Sequence, residues 1–261
     1  MEKKMEKTLD RYSAAAILLY VSAILFVAIP LFISFGDFAT AAFVISGMAF
    51  TILGSFVIMF SGNEPVDPRL VGILPVQASL NLCRIASDSG ITGNAYFLPP
   101  HITGESRVMQ FNPESSYYGG DRISARSSFT DGTPHGLVTV PAADILMQEL
   151  RKRNALVVPD RVEELTVLIS ETISEVFEFA PQVTTTWHSG KVTITLHEYR
   201  FIEGCLSTRS IAPLCCTRYP CPVCSLCGTL ITECTNKVVA LEECSVSVFS
   251  DEDITAVFSF S

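Results

Sequence analysis

The sequence predicts an α+β protein: an N-terminal transmembrane helical hairpin followed by a soluble domain in which helices pack on an antiparallel sheet. Three observations carry this. Two uncharged apolar stretches, Ser13 to Phe35 and Ala39 to Ser61, stand near the N-terminus. A stripe of apolar residues at helical spacing follows Asp160. Two pairs of segments with strict alternation lie beyond it, around Ser189-Gly190 and before and after Asp251 to Asp253. The expected organisation is a cytoplasmic segment over residues 1–12, the hairpin over 13–61, a linker over 62–69 and a single domain over 70–261.

Each apolar stretch is about 22 residues, enough to cross the hydrocarbon core as a helix at roughly 1.5 Å per residue. A cleaved signal has one shorter apolar core, whereas here two stretches are joined only by Gly36, Asp37 and Phe38. So short a turn makes the helices antiparallel neighbours. Ala42, Ser46, Gly47, Thr51, Gly54 and Ser55 form a small-residue face suited to close contact, within the hairpin or in self-association. Pro30 falls in the outer part of the first span, where a kink is tolerated. Lys3, Lys4, Lys7 and Arg11 precede the first span and the turn has no basic residue, so the positive-inside rule places both termini in the cytoplasm of a multi-pass cell-membrane protein. Arg69, soon after the second span, agrees.

The rest of the chain is large enough for one sizeable core. The net charge of −9, without a basic stripe interleaved with aromatics, argues against nucleic acid as a partner. The basic run Arg151, Lys152, Arg153 sits where it complements the end of a helix dipole.

Glu64 to Arg69, with Pro65 and Pro68, reads as a stiff linker. A helix is expected over Val76 to Ser87, ended by Gly90, then strands at Ala95 to Leu98 and Arg107 to Phe111 separated by a Pro- and Gly-rich turn. Asn112 to Pro134 has little periodicity and marks a long flexible loop, either a mobile lid or plain disorder. Leu137 to Val140 reads as a strand, and Ala142 to Arg153 as a helix with Pro141 suited to its first turn. Asp160 and Glu163 resemble a capping box for a helix whose core stripe is Val162, Leu165, Ile169, Ile173 and Val176.

Ser189-Gly190 predicts a two-residue hairpin turn within Gln182 to Tyr199. It pairs Trp187 with Val192 and Thr185 with Ile194 on one face, and Thr186 with Thr193 and Thr184 with Thr195 on the other. His188 and His197 then lie some 20 Å apart, too far to share a metal. Phe201 to Pro220 reads as irregular, Cys221 to Asn236 as a helix, and two strands close the chain: one alternating Cys244, Val246 and Val248 with serines, and one carrying Ile254, Ala256, Phe258 and Phe260.

Eight of the nine cysteines lie between Cys205 and Cys244. The run Cys221, Cys224, Cys227 in PCPVCSLCG matches part of a ferredoxin-type ligand motif. With Cys215 and Cys216 as further ligands it is the one segment that offers a metal centre, iron–sulfur or zinc. The packing alternative is geometric: Cys224, Cys227 and Cys234 share a helix stripe with Leu230 and Ile231, where cysteine behaves as a small core hydrophobe. We favour packing, with Cys83 a lone buried thiol, no cofactor and no metal. Redox-linked disulfides are disfavoured on the expected cytoplasmic side.

The segments RVMQFNP, GLVTVPAADILMQELRKR, RVEELTVLISETISEVFEF, GKVTITLHEYRF and CPVCSLCGTLITECTNKVVALEECSVS, and the order of elements, resemble an uncharacterised archaeal family of two-span membrane-anchored proteins with one cytosolic domain of unknown function. That family assigns no catalytic residues. The ending around VVALEECSVS is also similar to vinyl-reductase-type small-molecule-binding domains, without the Gly-Asp and second Cys expected near Asp251.

Nucleophile-elbow, phosphate-loop, zinc-protease and dinucleotide fingerprints do not occur in the sequence, so no catalytic residue is expected. The expected function is a membrane-tethered cytosolic module that binds a small ligand or a protein partner, with the lipid bilayer as its constant neighbour. The alternative is a metal or redox-sensing protein using the cysteine cluster. The orientation is tested by reporter fusions after Gly62 and at Ser261. A cytoplasmic reporter is expected to be active at both positions, and activity of an exported-type reporter at either would reverse the topology.

Overall fold

A computed structural model describes residues 2–33, 36–61, 67–120, 122–130, 133–154, 156–246 and 252–260. The chain divides into two compact units, Met1–Val66 and Asp67–Ser261.

The first unit is a helical hairpin of α1 (Glu2–Phe32) and α2 (Asp37–Ser61). The carbonyl of Gly36 accepts from the amides of Ala39 and Thr40, which starts α2 directly after the turn. The small-residue face does what its composition predicts. A Cβ on Gly47 would meet the Val27 side chain at 2.8 Å, and one on Gly54 would meet the Tyr20 ring at 3.3 Å. The Tyr20 and Ser55 hydroxyls are 2.9 Å apart across the pair. Ser46, Thr51 and Ser55 donate to carbonyls four residues back, which satisfies their hydroxyls inside an apolar helix.

Among the described residues, two helical stretches are long and apolar enough to cross a membrane, Asp37–Val57 and Pro68–Asp88, while the apolar part of α1, Ala15–Pro30, is shorter. The second stretch belongs to the other unit, where it is broken into α3 (Pro68–Ile73) and α4 (Val76–Asp88) and buries Gly72, Val76, Cys83 and Ala86. Length and apolarity therefore do not by themselves assign spans here.

The second unit is α+β. Its seven strands are β1 (Tyr96–Leu98), β2 (Met109–Pro113), β3 (Gly136–Thr139), β4 (Gln182–His188), β5 (Lys191–His197), β6 (Val239–Val246) and β7 (Ile254–Phe260). They form one antiparallel sheet in the order β3-β2-β1-β6-β7-β5-β4. The β4–β5 register has all four cross-strand pairs expected from the Ser189-Gly190 turn, and Gly190 takes the positive φ of 76° that the turn demands. Alternation sends Phe97, Val192, Ile194, Leu196, Leu241 and Phe258 into the main core. Leu98, Met109, Phe111 and Val138 enter a second, smaller core.

The main core is built around α10 (Pro222–Thr235), buried from Val223 through Thr232 and at Cys234. Helices α6 (Asp144–Asn154) and α7 (Val162–Glu171) contribute Met147, Leu150, Leu165 and Ile169 to it. A helix buried on all sides must satisfy its own hydroxyls, and Thr229 and Thr232 donate to Ser225 and Gly228 carbonyls at 2.8 Å. Ser225 accepts from the Ala143 amide at 3.2 Å, tying the start of α6 to α10. Gly228 lets the helix settle on the Phe97 ring of β1, where any Cβ would collide.

Several expectations are corrected. Pro68 and Arg69 are not linker: Asp67 accepts from the Arg69 amide at 2.9 Å and caps α3, with Pro68 at its first position. A short helix, α5 (Pro100–Thr103), occupies the Pro- and Gly-rich turn, and β2 lies two residues further on than expected. The stretch after β2 is no open lid: Tyr117 and Ile123 are buried beside Phe111, and Phe129 bridges to Leu137. Asp160 makes no cap, since Arg161 occupies the capping position of α7 without a side-chain bond. The last turn, Thr172–Val176, widens to π geometry, which buries Thr172 and Ile173 and turns Val176 out to solvent. Phe201 to Pro220 is not irregular but contains α8 (Ile202–Ile211) and α9 (Cys215–Arg218). Strand β6 begins earlier than expected, at Val239, with a bulge between Leu241 and Glu243; beyond it Cys244 and Val246 pair with Ala256 and Ile254 in the expected alternation. Residues 247–251, which include Val248 and Asp251, and residues 62–66 of the expected linker lie outside the described residues.

Gly228→Ala is expected to cost about 1–3 kcal/mol by overpacking against Phe97. Urea unfolding of the full chain measures it, and a neutral result would mean that α10 is free to shift off the sheet.

Candidate functional site

Helix α10 starts at the wall of a cavity. Pro222 takes the first helical position, where a missing amide hydrogen costs nothing, and this leaves Cys221 as the capping residue in extended geometry. The cavity measures about 540 Å³, within the range of small-molecule sites. Its floor is the N-terminal end of α10 with Cys221 and Val223, one side is α3 and α4 through Leu74 and Ser79, and another is the aromatic group Phe179, Tyr199 and Phe201. That aromatic group is rigid: the Phe179 and Phe201 rings lie 5.4 Å apart edge to face, and Tyr199 and Phe201 lie 5.8 Å apart. Helix α8 closes the remaining side because Gly204 meets the Gly72 backbone, a contact that no side chain would allow.

Polar groups at this wall are few. Tyr219, which contributes to the wall, is 5% exposed, and its hydroxyl has no hydrogen-bond partner among the described residues. Such a group costs about 1–3 kcal/mol unless something satisfies it.

Five thiols run through the site in one connected series. Cys205 on α8 donates to Cys221, and Cys224, one turn into α10, donates to the same sulfur. Cys224 and Cys244 sulfurs are 4.0 Å apart, and Cys216 on α9 donates to Cys244. The Tyr199 hydroxyl lies 3.9 Å from the Cys221 sulfur. The consequences alternate along the series. Hydrogen bonding with Cys205 and Cys224, and the nearby amides of Cys224 and Val223 at the start of α10, with which its side chain makes no capping bond, hold the Cys221 thiol well below the ordinary range. Cys244 is lowered by Cys216 and Cys224. The donors move the other way: Cys205 and Cys216 are raised by the bonds they give and by burial, as is Cys224. Burial raises the Tyr199 hydroxyl too.

The sequence-expected ligand set is therefore divided. Cys216, Cys221 and Cys224 belong to the series. Cys215 turns away, donating to the Ser79 carbonyl at 3.6 Å and facing Cys83, and burial raises it to about 12. Cys83, expected to be alone, is thus paired with Cys215. Cys227 is buried behind the series and is raised to about 12 by burial. Cys205 and Cys244 were outside the expected set. Their approach comes from α8, read as irregular, and from the order of β6 in the sheet, neither of which spacing along the chain reports. All nine cysteines are free thiols. Among the described residues, no three His, Cys, Asp or Glu side chains converge on a point where they hold a metal ion as they stand. His197 is engaged elsewhere, 2.9 Å from both Thr184 and Asp253.

The fold and site define a two-unit α+β protein with a thiol-lined apolar cavity. Residues 4–208 match the model of the family described as Domain of unknown function (DUF7982), and the chain belongs to that family. The match ends within α8, before the cysteine-bearing segment of α9, α10 and β6. No curated protein and no solved structure matches the chain.

Raised thiols have a signed effect on stability. Cys215 and Cys227 keep their protons in the folded state up to about 12, while the unfolded chain releases them near 8.5. Their contribution is complete below about 8.5 and is lost as pH rises toward 12. Urea midpoints are expected to fall over that window. Cys227→Ala is expected to lower stability by about 1–2 kcal/mol through lost packing, without changing metal content, and to make the decline shallower. An unchanged slope would rule out Cys227 as a contributor.

Proposed function

We propose that this protein is a membrane-tethered module whose second unit binds a small, largely apolar ligand carrying one hydrogen-bonding end group. The observation that carries the reading is the cavity of about 540 Å³ between α3, α4, α8 and the start of α10, apolar on most of its wall. Ser79 and Thr208 on its wall are the side-chain hydroxyls nearest to hand for a polar end group. The tether is α1 and α2, and their apolar composition and small-residue packing support insertion as a hairpin. Cytoplasmic termini, and the archaeal source that the family resemblance implies, belong to the same proposal. Binding of a protein partner or self-association through the hairpin is compatible with it.

A second reading, a metal or redox function of the cysteines, is favoured by one observation, the connected series Cys205, Cys221, Cys224, Cys244 and Cys216. It would act through thiols on the wall of the same cavity.

Octanoate, an alkyl chain with an acceptor end, is the first probe. It is expected to raise the thermal midpoint of the detergent-solubilised full chain with saturation. Ser79→Phe, which fills the cavity from α4, is expected to abolish the shift. An equal shift in the variant would place binding elsewhere, and no shift in the wild type would remove alkyl ligands of this size.

A further inference from the structure

The geometry points to a chemical activity in the cavity: we propose that Cys221 is a nucleophilic thiol, with Cys224 as its resolving partner, and that the pair exchanges with small apolar disulfides entering from the cavity. The proposal rests on the cavity reading for its substrate class but not for the reactivity of the sulfur.

Four observations converge on Cys221. It lines the cavity and is half-buried, whereas Cys224 is buried behind it. The two stand at the capping position and the third position of a 14-residue helix, in the sequence Cys-Pro-Val-Cys. This is the Cys-X-X-Cys arrangement in which an accessible first thiol is activated and a protected second one resolves. The Cys221 side chain makes no capping hydrogen bond, but it stands beside the free amides of Val223 and Cys224, at the positive end of the helix dipole. The groups facing that sulfur are Cys205 from α8, Cys216 from α9, Cys224 and Cys227 from α10, Cys244 from β6 and Tyr199. Cys205 and Cys224 act as donors to it. Tyr199 and Cys227 are raised and stay protonated, so they place no negative charge against it at neutral pH. Cys244 is lowered as well and opposes a charge on Cys221, so what singles out Cys221 is its place on the cavity wall at the start of α10, where a ligand reaches it and not Cys224.

The steps balance. The Cys221 thiolate attacks one sulfur of a disulfide RS–SR′, forming a Cys221–SR bond and breaking the S–S bond, with R′S⁻ leaving. Cys224 then attacks the Cys221 sulfur, RS⁻ leaves, and the Cys224 proton ends on one of the two released thiols. The small disulfide gains two electrons and the protein loses two, ending as a Cys221–Cys224 disulfide. The apolar walls formed by Leu74, Phe179, Phe201 and Val223 select alkyl or aryl R groups over charged ones.

The test uses the reduced, detergent-solubilised full chain. With limiting N-ethylmaleimide at pH 7, peptide mapping is expected to find Cys221 modified about 10-fold faster than any other thiol, with the midpoint of its rate–pH profile below 8.5. With dibutyl disulfide, the wild type is expected to form the Cys221–Cys224 disulfide, and Cys224→Ser to stop at a butyl-modified Cys221. Dibutyl disulfide is expected to outpace glutathione disulfide, and octanoate to slow it. First modification at Cys216, Cys244 or another thiol, or a Cys221 midpoint at or above 8.5, would overturn the proposal. So would stoichiometric zinc or iron in the purified protein with Cys221 silent until the metal is removed, which would assign the thiols to metal binding. The cavity reading is judged separately by the octanoate shift in Cys221→Ser. A retained shift with no exchange in the wild type leaves the cavity standing and ends the nucleophile. Rapid Cys221 modification with no octanoate shift and no preference for dibutyl disulfide ends the apolar substrate class.

Discussion

Burial of α10 on all sides is the constraint on which the second unit depends. A helix in the middle of a core cannot leave polar groups unpaired, which is why its threonines bond back to their own helix and Ser225 receives the Ala143 amide. It also cannot tolerate bulk on the face that meets the sheet, so Gly228 stands over Phe97. Small residues fit such a helix, and cysteine is a small apolar residue that happens also to be reactive. The cysteine content of α10 is in this sense first a packing solution. The proposed chemistry sits where the helix ends, because there the first amides have no intrahelical acceptor and the positive end of the dipole lies beside a sulfur.

The same reasoning explains why nine free thiols do not behave alike. Cys215 and Cys227, deep in apolar surroundings, are held protonated by burial. Cys221 and Cys244, each receiving hydrogen bonds from two other thiols, are driven the other way. A series in which acceptors alternate with donors lowers two of its five thiols, Cys221 and Cys244, and raises Cys205, Cys216 and Cys224. Position along that series sets the direction of each shift, and access from the cavity separates Cys221 from Cys244.

The cavity beside Cys221 owes its shape to backbone contact. Gly72 and Gly204 bring α3 and α8 together, and the edge-to-face aromatics around Phe201 line another wall. Helix α3 begins with its own cap at Asp67, so the second unit starts with a formed element immediately after residues 62–66.

Local patterns in the sequence determined the antiparallel class of the sheet, the β4–β5 hairpin with its register, helix α10 and the packing face between α1 and α2. In each case the controlling physics is short in range: a two-residue turn fixes a register, a proline at a first turn fixes a helix start, and glycine and serine spacing fixes a helix contact. The tertiary structure alone decided that Cys205 and Cys244 join Cys221 while Cys215 leaves it for Cys83, and that α8 exists where no periodicity announced it. It also decided that Tyr117 and Ile123 seal a stretch read as open loop, and that a π turn points Val176 outward. These outcomes depend on strand order across the sheet and on which backbone comes close to which. Such contacts join residues far apart along the chain, and no local pattern of residue types encodes them.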